Sequence, residues 1–147
     1  MAEKDRRRRK KGKLTYPQHR LKPRDLLDFV ETRQFTADWN DLDLDEDEFT
    51  ALQIGIISNP RGGALIEGTG GLRKLRFAPR KWHTGKRGAL RICYAYFEDH
   101  AVVFLIRAYG KTVMDDLTGA EKKLIRQLLE RISKELSGRP VRIREDP

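Results

Sequence analysis

Lys74 and Arg76 stand two residues apart in Leu72-Arg-Lys-Leu-Arg-Phe77, directly behind the turn-forming run Gly68-Thr-Gly-Gly71. In an extended chain alternate side chains share a face, so Leu72, Lys74 and Arg76 point one way and Arg73, Leu75 and Phe77 the other. Arg91, in the apolar run Ala89–Phe97, shares a face with Cys93 and lies opposite Leu90, Ile92 and Tyr94. Arg107, Tyr109 and Lys111 alternate along one face at the end of a further apolar run. If these strands pair in chain order, the cations converge on one concave side of a sheet, where they are better held than on loops. The chemistry open to them is that of a phosphate. They can offset charge building on a phosphoryl oxygen, or favour ionisation of a nucleophilic hydroxyl, without a metal ion. A purely basic binding surface would use the same residue types.

The segment between the first two of these strands, Ala78–Gly88, mixes Arg80, Lys81, Lys86 and Arg87 with Trp82 and His83. Aromatic rings among cations suit single-stranded RNA, by stacking on unpaired bases beside phosphate contacts. Packing of Trp82 onto the domain is the structural alternative. His83 titrates near neutrality and is a candidate general acid or base, unless it is simply exposed. Cys93, in mid-strand, reads as a small buried hydrophobe rather than a nucleophile. The three histidines have no ligand spacing to Cys93, so no metal or other cofactor is expected. No Walker-type loop, dinucleotide fingerprint or serine elbow is present.

The chain has 147 residues, enough for one domain. It is 38% hydrophobic and 36% charged, with a net charge of +9. Residues 61–111 carry eleven Lys and Arg against three acids, whereas residues 14–60 carry four against ten. The basic character of the folded part therefore lies around the cationic strands and argues for an anionic partner. One cysteine fits a reducing compartment. No apolar run approaches the ~20 residues of a membrane span, and no apolar segment backs the N-terminal cations as in a secretory signal, so a cytoplasmic protein is expected.

Residues 1–22 read as a disordered basic arm and 139–147 as a flexible tail, leaving 23–138 as the domain. Leu26–Val30 reads as a first strand. Thr36 is placed to cap a short helix through Leu42, with Phe35 as a hydrophobic staple. Asp45-x-x-Glu48 opens a second helix carrying Phe49, Leu52, Ile56 and Ile57, which Asn59-Pro60 ends. Its acidic start reads as a solvated cap rather than a metal site. Arg61–Gly71 reads as a Gly-rich connection. Strands follow at Leu72–Phe77, Ala89–Phe97 and Ala101–Tyr109, the last two forming an antiparallel hairpin across Glu98–His100. Thr118-x-x-Glu121 is a capping box, after which Leu124, Leu128, Ile132 and Leu136 recur every four residues until Gly138 and Pro140.

Gly68–Phe77, Gly85-Lys-Arg-Gly88 running into Arg91, the strand ending Tyr109-Gly-Lys111, and Asp115-Asp-Leu-Thr-x-x-Glu121 at the entry to a Leu-rich helix together resemble the RelE/ParE toxin superfamily. Among its members they look most like the HigB-like toxins of bacterial type II toxin–antitoxin modules. The resemblance covers about residues 24–137. It implies an α+β fold: two N-terminal helices, a small, curved, mainly antiparallel sheet of about four strands, and a C-terminal helix. It implies a metal-free, ribosome-dependent mRNA endonuclease that inhibits translation, with ribosome and mRNA as partners and a cognate antitoxin, a small helix-turn-helix DNA-binding protein. In the implied reaction the RNA 2′-hydroxyl attacks the adjacent phosphorus and the 5′-oxygen leaves. Lys74, Arg76, Arg91 and Lys111 match the family's basic positions and are the expected catalytic set. Arg73, Arg80, Lys81, Trp82, His83, Lys86, Arg87, Arg107 and Tyr109 are the expected RNA-binding set. Some ribosome-dependent members carry a tyrosine a few residues past the last basic position. Thr112–Thr118 has none, which leaves the proton-transfer roles open to Tyr109 or His83. It also leaves open a ParE-like inhibitor of gyrase and a basic nucleic-acid-binding module without catalysis.

Overall fold

The computed structural model describes residues 26–80, 89–110 and 117–138. The chain forms strand β1 (Asp28–Glu31), helices α1 (Arg33–Asp41) and α2 (Glu46–Ser58), strands β2 (Ala64–Leu65), β3 (Leu72–Phe77), β4 (Leu90–Phe97) and β5 (Val102–Gly110), and helix α3 (Gly119–Ser137). The five strands make one sheet in the order β1-β5-β4-β3-β2. β1 runs parallel to β5 and every other pairing is antiparallel. The α+β class and mainly antiparallel sheet match expectation. The first strand lies ahead of the two N-terminal helices as read, at Asp28–Glu31 rather than Leu26–Val30, and in detail the sheet has five strands rather than four. The added strand, β2, falls where a Gly-rich connection was expected. Two residues are too few to show a period, and only the pairing of Ala64 with Lys74 and Leu65 with Arg73 makes them a strand.

α1 begins earlier than the sequence suggests. Thr32, not Thr36, is the N-cap: its hydroxyl accepts from Phe35 N–H at 3.1 Å and donates to Leu105 O at 3.0 Å. One side chain thus satisfies an orphan helix donor and ties the helix start to the sheet, which a cap at Thr36 would not do. The Thr36 hydroxyl bonds Glu31 Oε1 instead. Phe35 is accordingly no staple; it lies inside the first turn, fully buried. α2 begins as expected, with Asp45 Oδ1 accepting from Glu48 N–H at 2.9 Å. α3 carries the complete capping box, Thr118 and Glu121 each accepting the other's backbone N–H.

The sheet is a middle layer with a core on each face. One core joins Leu90, Ile92, Tyr94, Val103 and Leu105 to Phe35 and Trp39 of α1 and Leu52 and Ile56 of α2. The other joins Leu72, Cys93, Ala95, Ile106 and Tyr109 to Leu117 and to Leu129 of α3. The face bearing the cations is therefore not free of core; α3 covers part of it. Among the described residues, no helix is long and apolar enough to cross a membrane.

A β-bulge sits between β4 and β5. Cys93 pairs with Arg107 and Tyr94 with Leu105, which leaves Ile106 as the extra residue. β1 stops pairing at Leu105, so β5 becomes an edge just beyond the bulge. Asp38 of α1 covers that edge, accepting from Ala108 N–H at 2.9 Å and Arg107 Nε at 2.8 Å. Removing it leaves a strand amide and a guanidinium without their acceptor. Asp38→Ala is expected to lower unfolding stability by about 1.5–3 kcal/mol in urea denaturation, the range for hydrogen bonds to a charged group.

Candidate nucleic-acid interface

The route into β3 is a turn that only glycine makes without strain. Gly68, Gly70 and Gly71 have φ of 84°, 76° and 128°. Buried Thr69 closes the turn, its hydroxyl donating to Ile66 O at 2.6 Å and accepting from Leu72 N–H at 3.1 Å. Arg126 of α3 fastens the turn from outside through Nη1 to Gly68 O at 2.9 Å. The turn thereby sets where β3 starts and which way its alternate side chains face.

Across the sheet, Arg76 lies opposite Arg91, and Arg91 opposite Tyr109. Lys74 lies opposite Cys93, and Cys93 opposite Arg107. Directly opposed residues in antiparallel strands have Cβ atoms about 4.5–5.5 Å apart, and like charges so placed repel. Arg76 facing Arg91 is therefore an arrangement that folding alone does not favour. Arg91 is 8% exposed and its Nη1 donates to Ala89 O at 2.8 Å, which fixes the guanidinium in place. Arg76 is exposed and Lys74 half-buried. The three cations form a graded surface, from a fixed guanidinium at the base to a solvent-facing one at the rim.

Cys93 and Tyr109 form the floor between them. Cys93 Sγ lies 4.0 Å from the Tyr109 hydroxyl, and both residues are buried. Burial pushes the Cys93 thiol up to about 11, against the smaller opposing pull of the Tyr109 contact, Lys74 and Arg107. The thiol stays protonated at neutral pH, in keeping with a packing role. At pH 8 a small thiol reagent is expected to label Cys93 at least about 100-fold more slowly in folded than in urea-unfolded protein. The raised value has a stability consequence. This thiol favours the folded state below pH 9, and that contribution is lost as pH rises from 9 to about 11.

Two of the expected RNA-binding residues are committed elsewhere. Arg73, on the opposite face of β3, donates through Nη1 to Arg61 O at 2.9 Å and Gly63 O at 2.8 Å. Beside it, the Tyr94 hydroxyl donates to Pro60 O at 2.8 Å and accepts from Gly63 N–H at 3.0 Å. Burial raises the Tyr94 pKa, while Gly63 N–H and Arg73 act the other way. A Cβ on Gly63 would come within 2.9 Å of the Tyr94 ring, so the approach requires glycine. Arg73 therefore holds the 60–63 turn to the sheet. Arg107 is turned by the bulge toward Asp38, with its guanidinium 5.9 Å from the Tyr109 ring centroid. Arg80 is exposed, and its backbone N–H reaches buried Glu48 at 3.4 Å. Lys81, Trp82, His83, Lys86, Arg87 and Lys111 lie outside the described residues.

Sequence reasoning missed Asp38, Tyr94 and Arg126, whose partners are 70, 34 and 58 residues away. Separations of that order leave no local pattern to read. Among the described residues, no three His, Cys, Asp or Glu side chains gather as a metal cluster. No protein-family model matches the chain.

Proposed function

We propose that this chain is an RNA-cleaving toxin of a type II toxin–antitoxin module, acting on mRNA at the ribosome in the cytoplasm and held in check by a small helix-turn-helix antitoxin. The observation that carries the reading is the pair Arg76 and Arg91 opposed across β3 and β4, with Lys74 on the same face. Opposed guanidinium groups are unfavourable in the empty protein and become favourable once a phosphate lies between them.

In this mechanism the RNA 2′-oxygen bonds to the adjacent phosphorus and the bond from phosphorus to the 5′-oxygen breaks. A 2′,3′-cyclic phosphate and a 5′-hydroxyl result. Arg91, fixed by Ala89 O, and Arg76 at the rim meet the charge that grows on the non-bridging oxygens. Lys74 lowers the cost of ionising the 2′-hydroxyl or accepts its proton. Lys111 serves the leaving oxygen. The Tyr109 hydroxyl lies in the sheet beside Cys93 Sγ, which favours Lys74 over Tyr109 for the 2′-proton.

The test is to express the protein in bacteria and map mRNA ends, comparing wild type with Arg76→Ala and Arg91→Ala. New ends within translated frames, absent from both variants, are the expected result. Growth arrest with intact mRNA and broken DNA would overturn the proposal in favour of gyrase inhibition, and RNA binding without new ends would leave a basic binding module.

A further inference from the structure

The glycine turn at the head of β3 carries two cations from α3, Lys122 and Arg126. A Cβ placed on Gly68 would lie 3.7 Å from Lys122 Cδ, and one on Gly70 would lie 3.3 Å from Arg126 Cγ. The two side chains stand one helical turn apart, on one face of α3, and their stems lie across the turn. Arg126 gives one Nη1 hydrogen bond to Gly68 O at 2.9 Å. A guanidinium has further N–H donors, so most of its capacity is left over.

Neither cation has a carboxylate partner among the described residues. Acids are at hand: Glu67 precedes the turn, and Glu130 follows Arg126 by one helical turn, a spacing at which ion pairs form. The ion pairs of the described residues instead join Arg61 to Glu98 and Arg107 to Asp38. Arg126 is exposed and Lys122 half-buried. Two cations that ignore nearby acids keep a positive potential over the turn for an anion from outside.

Their position ties them to the cationic face. α3 packs through Leu129 against Leu72, Cys93 and Tyr109, on the side of the sheet that also bears Lys74, Arg76 and Arg91. Lys122 and Arg126 therefore stand as a wall beside the head of β3, on that same side. From Leu72 to Arg76 the strand covers about 13 Å, with Lys74 midway. The charges follow one another along β3 from the turn to the opposed arginines, an arrangement that suits a strand with a charge on every unit.

We propose that Lys122 and Arg126 bind a second backbone phosphate of the RNA, further along the strand from the phosphate between Arg76 and Arg91. A single strand then runs along β3 from the opposed pair to the glycine turn. The proposal rests on the RNA reading of the cationic face and extends it to α3. Glycines 68, 70 and 71 fit the role, since a turn without side chains lets a ligand approach its backbone closely. Contacts of this kind fix the path of the strand and carry no base preference.

The test is binding of a 2′-O-methyl oligouridine of about ten nucleotides, which lacks the attacking hydroxyl, to the purified full chain at several salt concentrations. Lys122→Gln and Arg126→Gln should each lower the slope of log affinity against log salt by about one, as for one lost phosphate contact. Arg126→Lys, which keeps the charge, should retain the wild-type slope. If Arg126 served only to hold the turn, neither of its substitutions would move the slope. Lys134→Gln removes an exposed charge further along α3 and should leave the slope unchanged. An equal drop with Lys134→Gln would overturn the proposal, because the effect would then be one of net charge. Arg76→Ala separates the two readings. If it lowers the slope while Lys122→Gln and Arg126→Gln do not, the strand leaves the face by another route and this proposal alone falls. If wild type does not bind the oligouridine, the RNA reading falls with it.

Discussion

Arg76→Ala and Arg91→Ala are each expected to lower the RNA cleavage rate by about 10²–10³-fold, the usual cost of removing one preorganised group that meets transition-state charge. The two losses should not add. Both groups act on one phosphate from opposed positions on adjacent strands, so the double variant should fall little below the worse single one. The variants should differ in binding. Arg76 is exposed, and its loss should lower the slope of log affinity against log salt by about one, as for a solvent-facing phosphate contact. Arg91 is 8% exposed and held by Ala89 O, so Arg91→Ala should also lower melting temperature. Single-turnover cleavage of a defined mRNA on programmed ribosomes, affinity measured at several salt concentrations, and thermal melting of each variant check all four. Cleavage by either variant within about threefold of wild type would remove the opposed pair from the mechanism.

Phe35→Ala is expected to lower unfolding stability by about 3–5 kcal/mol, the range for a large aromatic truncated in a core. Small domains have about 5–15 kcal/mol in total, so this one side chain carries about a fifth of it or more. Phe35 has no exposure, stacks on Trp39 at 5.7 Å between ring centroids, and meets Phe49 of α2 at 6.2 Å. Its loss opens a cavity where α1, α2 and the sheet meet. The effect should extend along α1. Asp38 lies one turn further on and holds the β5 edge through Arg107 and Ala108, so a loosened α1 releases both. Urea denaturation followed by tryptophan fluorescence measures the loss. A change under about 1 kcal/mol would show that the α1 packing contributes little to the fold.

The same residues show how far local pattern carries. Thr118 and Glu121 were readable as a capping box because both partners lie three residues apart, and α3 begins where they place it. Local pattern pointed to Thr36 as the cap, and the cap falls at Thr32 because its hydroxyl reaches Leu105 O, 73 residues away. β3 was readable from its period-two alternation, and β4 and β5 from their apolar runs. β2 was not, since two residues carry no period and its strand character comes from β3.

The candidate site divides the same way. Lys74, Arg76 and Arg91 share one face as strand alternation requires, and the register brings Arg76 opposite Arg91. Arg73 and Arg107 carry the same charge in the same segments, yet neither behaves as a surface cation. One satisfies two carbonyls of the 60–63 turn, and the other is turned by a bulge toward Asp38. A side chain's charge states what it can bind but not which oxygen reaches it first.

By itself, then, the sequence determined what short-range physics determines. Glycines 68, 70 and 71 mark a turn with positive φ, alternation separates cations from apolar residues on β3, and helical spacing with its caps defines α3. Only the tertiary structure decided that α3 covers part of the cationic face and that β1 ends early enough to leave an edge for Asp38. It alone set Lys122 and Arg126 of α3 against the glycine turn. Each of these depends on a backbone group or surface whose partner lies tens of residues away, where burial and hydrogen-bond satisfaction select one pairing among many that local pattern allows.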